Sequence, residues 1–159
     1  MIEETFTIYH HLSDTWRYSA AGDSGGKPIL SIIVYRVENE STYPRYFGAE
    51  LRIGASTDIN DVGNCLNYDQ YITSSSPTEK ELINGITFNK LVIQDAATMQ
   101  YVEVISYRTI YNNTCFAIEQ LKAGSNYRDE PSPQDISVSL LNSYYDSIVE
   151  IIKTFKFTR

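Results

Sequence analysis

The sequence lacks the features that mark several large classes of protein. It has no apolar run approaching the ~18 residues that a membrane-spanning helix needs. Its first four residues, Met-Ile-Glu-Glu, are acidic and do not form the apolar core of a signal peptide. Basic residues are scarce, with 13 Lys and Arg against 20 Asp and Glu, which gives a net charge of -7. Because nucleic acids and anionic membranes attract clustered basic charge, we expect neither as a partner.

The chain is long and apolar enough to fold as one unit. Its 159 residues match the commonest domain size, and a hydrophobic content of 42% can fill a sizeable core. We find no internal repeat and no low-complexity segment. The expectation is therefore a single domain over residues 1–159.

Cysteine is nearly absent, since the chain has only Cys65 and Cys115. In an intracellular protein, two such residues are usually unrelated free thiols that are buried as small hydrophobic groups. An even pair in a chain rich in Tyr, Asn, Ser and Thr favours instead a secreted protein with a disulfide bond. We expect an extracytoplasmic protein, periplasmic or secreted, whose signal or lipid-anchor segment would precede Met1. A cytoplasmic protein is the alternative.

Alternation of apolar and polar residues predicts several β-strands. The predicted strands are 6–9, 29–35, 47–53, 86–93, 101–109 and 115–119. Asn84-Gly85 is typical of a turn before its strand, and Asn112-Asn113 predicts a hairpin between the last two strands. Residues 58–71 are polar and favour a short helix or an irregular loop.

One amphipathic helix is predicted at the end of the chain, from Ser132 onward. Its apolar residues recur at three- and four-residue spacing: Leu141, Tyr144, Ile148, Ile151 and Phe155. Such a stripe must be buried against a partner. Several strands and one long helix predict an α+β fold, with the helix packed on one face of an antiparallel sheet.

Four short segments carry a resemblance to a known family. They read Ile-Asn-Gly-Ile-Thr-Phe at 83–88, Tyr-Arg-Thr at 107–109, Cys-Phe-Ala-Ile at 115–118 and Ile-Ile-Lys-Thr-Phe-Lys-Phe at 151–157. In this order the second half of the chain resembles the PsbP-like superfamily, which includes photosystem II extrinsic proteins and many bacterial lipoproteins. The resemblance implies an α/β/α sandwich around an antiparallel sheet. The paired cysteines fit the secreted lipoproteins best, and no functional residue carries over.

Residues 22–26 read Gly-Asp-Ser-Gly-Gly, which is identical to the motif around the nucleophile of chymotrypsin-like proteases. A catalytic triad also needs a histidine, and the only two, His10 and His11, lie 14 and 13 residues before Ser24. A chain this short, with its serine near the start, has no room for the two barrels of that family. We interpret the motif as a turn and expect no enzyme. A small hydrolase that uses His10 or His11 is the alternative.

Residues 58–63 resemble the opening of a calcium-binding loop, with Asp58 first and Gly63 at the bend. The fifth position is Val62, which has no ligating oxygen, and the twelfth is Asp69 instead of glutamate. We therefore interpret the segment as a solvated loop or a helix cap, and expect no metal and no cofactor.

The remaining carboxylates show no spacing that indicates acid–base catalysis. Glu103, Glu119, Asp129 and Glu130 are available, but nothing singles out a pair among them. We expect most of them on solvated faces and in loops.

Tyrosine is abundant, with 13 residues against 6 Phe and one Trp. It combines apolar area with a hydrogen-bonding tip and suits recognition surfaces. The candidate binding residues lie in loop-like stretches and are Tyr43, Arg45, Tyr46, Tyr68 and Tyr71. The simpler interpretation is that the tyrosines line sheet faces, which favour aromatic residues.

The expected function is a non-catalytic accessory or binding module that recognises a protein or an envelope component. Besides the hydrolase, a second alternative is a small-molecule binder with a cleft between helix and sheet. Convergent titratable groups in a cleft would favour the enzyme. A shallow tyrosine-rich patch would favour the binding module.

Overall fold

The computed structural model describes residues 27–36, 47–66, 79–97, 100–125 and 137–158. The strand expected at 6–9 and the Gly-Asp-Ser-Gly-Gly motif at 22–26 lie outside these residues. Within them the chain forms, in order, β1 (Lys27–Arg36), β2 (Phe47–Ser56), α1 (Ile59–Asn64), β3 (Glu79–Ile83), β4 (Ile86–Ala97), β5 (Gln100–Tyr111), β6 (Thr114–Ser125) and α2 (Val138–Ile152).

The six described strands form one antiparallel sheet in the order β1-β2-β6-β5-β4-β3. Strands β3 to β6 follow one another as neighbours, which is the simplest way to build a sheet. The exception is the pairing of β2 with β6, which joins distant parts of the sequence. The middle of the sheet therefore depends on a long-range contact.

Two tight turns close hairpins as their sequences require. Asn84 and Gly85 join β3 to β4 with φ of 47° and 82°, and Asn112 and Asn113 join β5 to β6 with φ of 48° and 55°. Asparagine and glycine tolerate this left-handed conformation, and a two-residue turn of this kind matches the twist of paired strands. The predicted hairpin across Asn112-Asn113 is confirmed. Strand β3 was not predicted, because its exposed charges hide the strand pattern.

Helix α2 confirms the predicted C-terminal helix, and the Ser137 hydroxyl caps it by accepting from the backbone N–H of Leu140 at 3.1 Å. Its buried residues are Leu141, Tyr145, Ile148 and Ile152. The buried stripe is therefore shifted around the helix relative to the predicted one, since Tyr144 and Ile151 are only partly buried. In the part of the chain that is described, no helix is long and apolar enough to cross a membrane.

The core lies between α2 and the sheet. The helix packs on β1, β2 and β6. The sheet contributes Ala49, Leu51, Ile83, Phe88, Tyr107 and Ile118 to this core, and the helix contributes Tyr145, Ile148 and Ile152. The fold is α+β, as predicted, with one C-terminal helix on an antiparallel sheet.

The α/β/α sandwich implied by the family resemblance is corrected by the structure. Among the described residues, α2 is the one helix long enough to form a layer. Helix α1 has six residues and spans about 9 Å, the width of about two strand spacings. It also ends at a cysteine that is fixed to β6. The described architecture therefore has two layers, a sheet and a helix.

The packing of α2 predicts the effect of truncating Ile148, which has no exposed surface. Ile148→Ala should lower the free energy of unfolding by about 2–5 kcal/mol, because it removes a large side chain from a packed interior. Urea denaturation measures this, and the m-value should stay nearly unchanged. The matched control is Leu140→Ala on the same helix, where the leucine is 45% exposed and the loss should be below about 0.5 kcal/mol. Equal losses in both variants would contradict the packing.

Candidate functional site

The sequence-predicted binding and catalytic candidates lie outside the described residues. These are Tyr43, Arg45, Tyr46, Tyr68 and Tyr71, together with His10 and His11. Their roles remain predictions. The described residues with unusual burial, charge or exposure are the other candidates for a functional site.

The predicted disulfide bond between Cys65 and Cys115 is present in the structure. Both residues are fully buried. The bond links the residue after α1 to the second residue of β6. Successive side chains of a strand point to opposite faces. Ile118 of β6 packs in the core with α2, so Cys115, three residues before it, lies on the sheet face opposite α2. The bond therefore fixes α1 at one end of that face.

The candidate calcium loop is a helix cap. The Asp58 carboxylate accepts hydrogen bonds from the backbone N–H groups of Asn60 at 2.8 Å and Asp61 at 3.4 Å. Asp61 is fully buried and accepts from the Ser56 hydroxyl. The cap interpretation of this segment is confirmed. Within the described ranges, no group of three or more His, Cys, Asp and Glu side chains is arranged to hold a metal ion.

Charged side chains are buried in the middle of the sheet, on the face opposite α2. We call them, with one serine, the buried polar cluster: Glu50, Arg52, Ser106, Arg108 and Glu119, of which the last three have no exposed surface. Glu50 and Arg52 share one face of β2, and Ser106 and Arg108 share one face of β5, because each pair is two residues apart. The register places Arg52 opposite Glu119 and Glu119 opposite Ser106. The cluster therefore spans β2, β6 and β5.

The cluster is held by interactions along and across the strands. Arg52 Nε donates to Glu50 Oε1 at 2.8 Å along β2. Arg108 Nε donates to Ser106 Oγ at 3.3 Å along β5. Across the strands, Arg108 Nη2 lies 3.6 Å from Glu119 Oε1. Burial makes these contacts costly to break, because a charge left without its partner would not be solvated.

Burial raises the pKa of Glu119 from 4.5 to about 7. The positive charges of Arg108 and Arg52 and a contact with Ser106 oppose this rise without cancelling it. Desolvation dominates, because moving an ionised carboxylate out of water is expensive. Glu119 therefore changes its charge near neutral pH, far above the range of an ordinary glutamate.

Two of the carboxylates named from the sequence, Glu103 and Glu119, differ in burial. Glu103 is half-buried and lies 3.0 Å from Lys122 Nζ, close to the expected surface position. Glu119 is an exception to the expectation that most of these carboxylates lie on solvated faces, because it is fully buried. The sequence did contain a signal for this burial. Glu119 lies on the same face of its strand as Cys115, Ala117 and Leu121, which are all apolar.

Two buried tyrosines lie in the core between the sheet and α2, Tyr107 on β5 and Tyr145 on the helix, and of these Tyr107 lines the sheet face. Burial raises the pKa of Tyr107 to about 12, with a contribution from Glu81. Burial also raises the pKa of Tyr145, whose ring lies 4.8 Å from Lys122 Nζ. Gln120 Nε2 donates to the Tyr145 carbonyl at 2.9 Å. Both phenols stay protonated at neutral pH, and their position is that of core residues.

A third tyrosine is exposed at the tip of the β5–β6 hairpin. The Tyr111 ring stacks on Phe157 with centroids 4.1 Å apart and planes 8° apart, and Phe116 meets Phe157 edge-on at 4.7 Å. We call Tyr111, Phe116 and Phe157 the aromatic ledge. Tyr111 is 41% exposed, and the adjacent turn residues Asn112 and Asn113 are also exposed. The ledge is an apolar group of rings bordered by amides, in which Tyr111 and Phe157 are the parallel pair.

The segment after α2 is held in place by the side chain of Asn84 and by aromatic ring contacts. Asn84 Nδ2 donates to the carbonyl oxygens of Lys153 at 2.7 Å and Phe155 at 2.8 Å. The Phe155 ring meets Phe88 edge-on at 5.9 Å and Phe157 at 5.2 Å. This fixes Phe157 under Tyr111. The sequence-based candidates did not include Tyr111, whose only signal was its place next to a predicted turn.

Comparison with family models, with curated proteins and with solved structures finds no match for this chain.

The buried polar cluster predicts how stability depends on pH. The folded protein binds the Glu119 proton more tightly than the unfolded chain, so the free energy of unfolding should fall as pH rises from 4.5 to about 7. The Glu119 contribution to this fall is about 3 kcal/mol. Glu119→Gln cannot titrate, so urea unfolding across this window should show a weaker pH dependence. The exposed control, Glu150→Gln, should keep the parent's slope, and an unchanged slope in Glu119→Gln would contradict the assignment.

The disulfide bond predicts two measurable properties. The denatured, unreduced protein should show no free thiol on titration. The Cys65→Ser/Cys115→Ser double variant should lose about 4 kcal/mol of stability, because the bond closes a loop between residues 50 positions apart. Two reactive thiols in the unreduced protein would show that the bond does not form.

Proposed function

We propose that this chain is a non-catalytic binding domain that works outside the cytoplasm and recognises a glycan of the cell envelope. The observation that carries this proposal is the exposed Tyr111 ring on the aromatic ledge. One face of the ring is covered by Phe157 in a parallel stack. Tyr111 is 41% exposed, and the ring face away from Phe157 is the one that a ligand would contact. A flat aromatic face open to solvent is a suitable platform for a sugar ring.

The chemistry of the ring explains this preference. The face of an aromatic ring is electron-rich and attracts the weakly positive C–H groups that line one side of a pyranose. Tyr111 supplies this face with few rotatable bonds, and Phe157 already holds it in place. The entropic cost of ordering the contact is therefore small.

The polar border of the ledge supports a neutral, hydroxyl-rich ligand. Each side-chain amide of Asn112 and Asn113 offers two donors and one acceptor oxygen, which match sugar hydroxyl groups. Thr114 lies directly opposite Tyr111, and its hydroxyl donates to the Asn112 carbonyl at 3.4 Å. Residues 110–116 carry no charged side chain. This favours a glycan over a partner that is recognised by ion pairs.

The compartment in the proposal is supported by the disulfide bond. Such bonds persist mainly in oxidising surroundings, which lie outside the cytoplasm. The PsbP-like resemblance of the second half of the chain remains a proposal too, and it is compatible with a secreted or lipid-anchored protein. The antiparallel sheet with a C-terminal helix supports that relation only at the level of the coarse fold.

Binding to insoluble polysaccharides tests the proposed function. The probes are peptidoglycan sacculi, chitin and cellulose, and retention of the purified protein is measured for each. On the probe that retains the parent, Tyr111→Ala should bind about tenfold more weakly, because the stacking contact is lost. Tyr111→Phe should keep most of the binding, since the ring remains.

The control is Leu82→Ala, which removes an apolar side chain that is 70% exposed on β3, away from the ledge. It should bind like the parent. No retention of the parent on any probe would contradict the proposal, as would equal retention of Tyr111→Ala. Release of soluble sugar from a probe would favour the hydrolase alternative that uses His10 or His11.

A further inference from the structure

The turn between β3 and β4 contains the one Asn-Gly pair in the sequence, Asn84-Gly85. In such a pair asparagine loses its amide most readily, because glycine has no side chain to shield its backbone nitrogen. Both residues are exposed, and an added Cβ at Gly85 would meet no atom within 4 Å beyond its chain neighbours. The β3–β4 ladder ends at Ile83 and Ile86, so the Gly85 nitrogen lies outside it. The turn therefore presents an accessible backbone nitrogen directly after an asparagine.

The Asn84 amide makes contacts that a carboxylate could not make. Its Nδ2 donates to the carbonyl oxygens of Lys153 at 2.7 Å and Phe155 at 2.8 Å. Both oxygens lie just beyond the last residue of α2, at the negative end of the helix dipole. An ionised carboxylate at position 84 has no hydrogen to donate, and both oxygens would repel it. Loss of the amide therefore removes two hydrogen bonds and adds a repulsion.

We propose that Asn84 is a deamidation site whose modification releases the segment that follows α2. The Gly85 nitrogen forms a bond to Asn84 Cγ, and the Cγ–Nδ2 bond breaks. The leaving nitrogen takes the proton of the Gly85 amide and departs as ammonia, so a succinimide ring remains. Water then opens the ring, with its hydroxyl on a carbonyl carbon and its proton on the Gly85 nitrogen. Opening at Cγ gives aspartate, and opening at the main-chain carbonyl carbon gives isoaspartate.

Both products weaken the support of the aromatic ledge. The two hydrogen bonds of the Asn84 amide position Phe155, whose ring meets Phe157 edge-on at 5.2 Å, and Phe157 stacks on Tyr111. Modification removes these hydrogen bonds and leaves the ring contacts. Isoaspartate also adds a methylene to the main chain of a tight two-residue turn, which distorts it. The site is distinct from the ledge, and its chemistry does not depend on the proposed glycan binding.

The first experiment incubates the purified, folded full chain at mildly alkaline pH, which favours attack by the Gly85 nitrogen. Peptide mapping by mass spectrometry should show aspartate and isoaspartate accumulating at position 84 faster than at Asn112 or Asn113. These two asparagines are also exposed in a turn with positive φ, but neither precedes a glycine. Deamidated protein carries an additional negative charge, so ion exchange separates it from the parent.

Hydrogen exchange of the separated protein measures release of the segment. The backbone N–H groups of Lys153, Thr154 and Phe155 are hydrogen-bonded at 3.0 Å. In deamidated protein and in Asn84→Asp they should exchange at least about tenfold faster, because losing two hydrogen bonds shifts the opening equilibrium by that factor. The matched control is Asn112→Asp, which places the same charge in the other asparagine turn and should leave this exchange unchanged.

Circular dichroism verifies that each protein is folded. If Asn84→Asp does not fold, the deamidated parent decides, since it is formed from folded protein. Equal rates of modification at Asn84 and Asn112 in the folded chain would overturn the proposal. Modification at position 84 that leaves the exchange of the three N–H groups unchanged would overturn it as well.

Discussion

The pairing of β2 with β6 is the contact on which the rest of the structure depends. It joins the two halves of the chain, and its register places Arg52 opposite Glu119 on one face and Leu51 opposite Gln120 on the other. A slip of β2 by one residue would turn Glu50 and Arg52 towards α2 and Leu51 away from the core. Placing these charged side chains among the apolar residues of α2 would cost free energy. The charged face and the apolar face of β2 therefore both specify its register.

Local signals predicted the elements that form through local interactions. The Asn112-Asn113 turn specifies its hairpin because both residues tolerate positive φ. The C-terminal stripe specifies a helix because apolar residues at three- and four-residue spacing share one face only in a helix. The disulfide was predictable from an even cysteine count and composition. The spacing did not fix the exact position of the stripe on the helix. Tyr144 and Tyr145 are adjacent and identical in side chain, and only packing on the sheet determines which of them is buried.

The features that were not predicted depend on contacts between distant residues. A strand with exposed Glu79 and Lys80 resembles a loop until β4 pairs with it. Glu119 resembles a surface carboxylate until Arg52, 67 positions earlier in the sequence, is placed opposite it. The family resemblance implied helices on both faces of the sheet. Its matching segments are strand, turn and helix-end residues, and these do not specify a second layer of helices. The candidate site was missed for the same reason, since Tyr111 gains its platform from Phe157.

The disulfide bond supports the hairpin that bears the aromatic ledge. Cys115 is the second residue of β6 and lies two positions after the β5–β6 turn. The bond ties this start of β6 to the residue that follows α1. It therefore holds the hairpin tip before any ligand arrives, and a rigid tip is what a shallow surface needs in order to bind without a large loss of entropy.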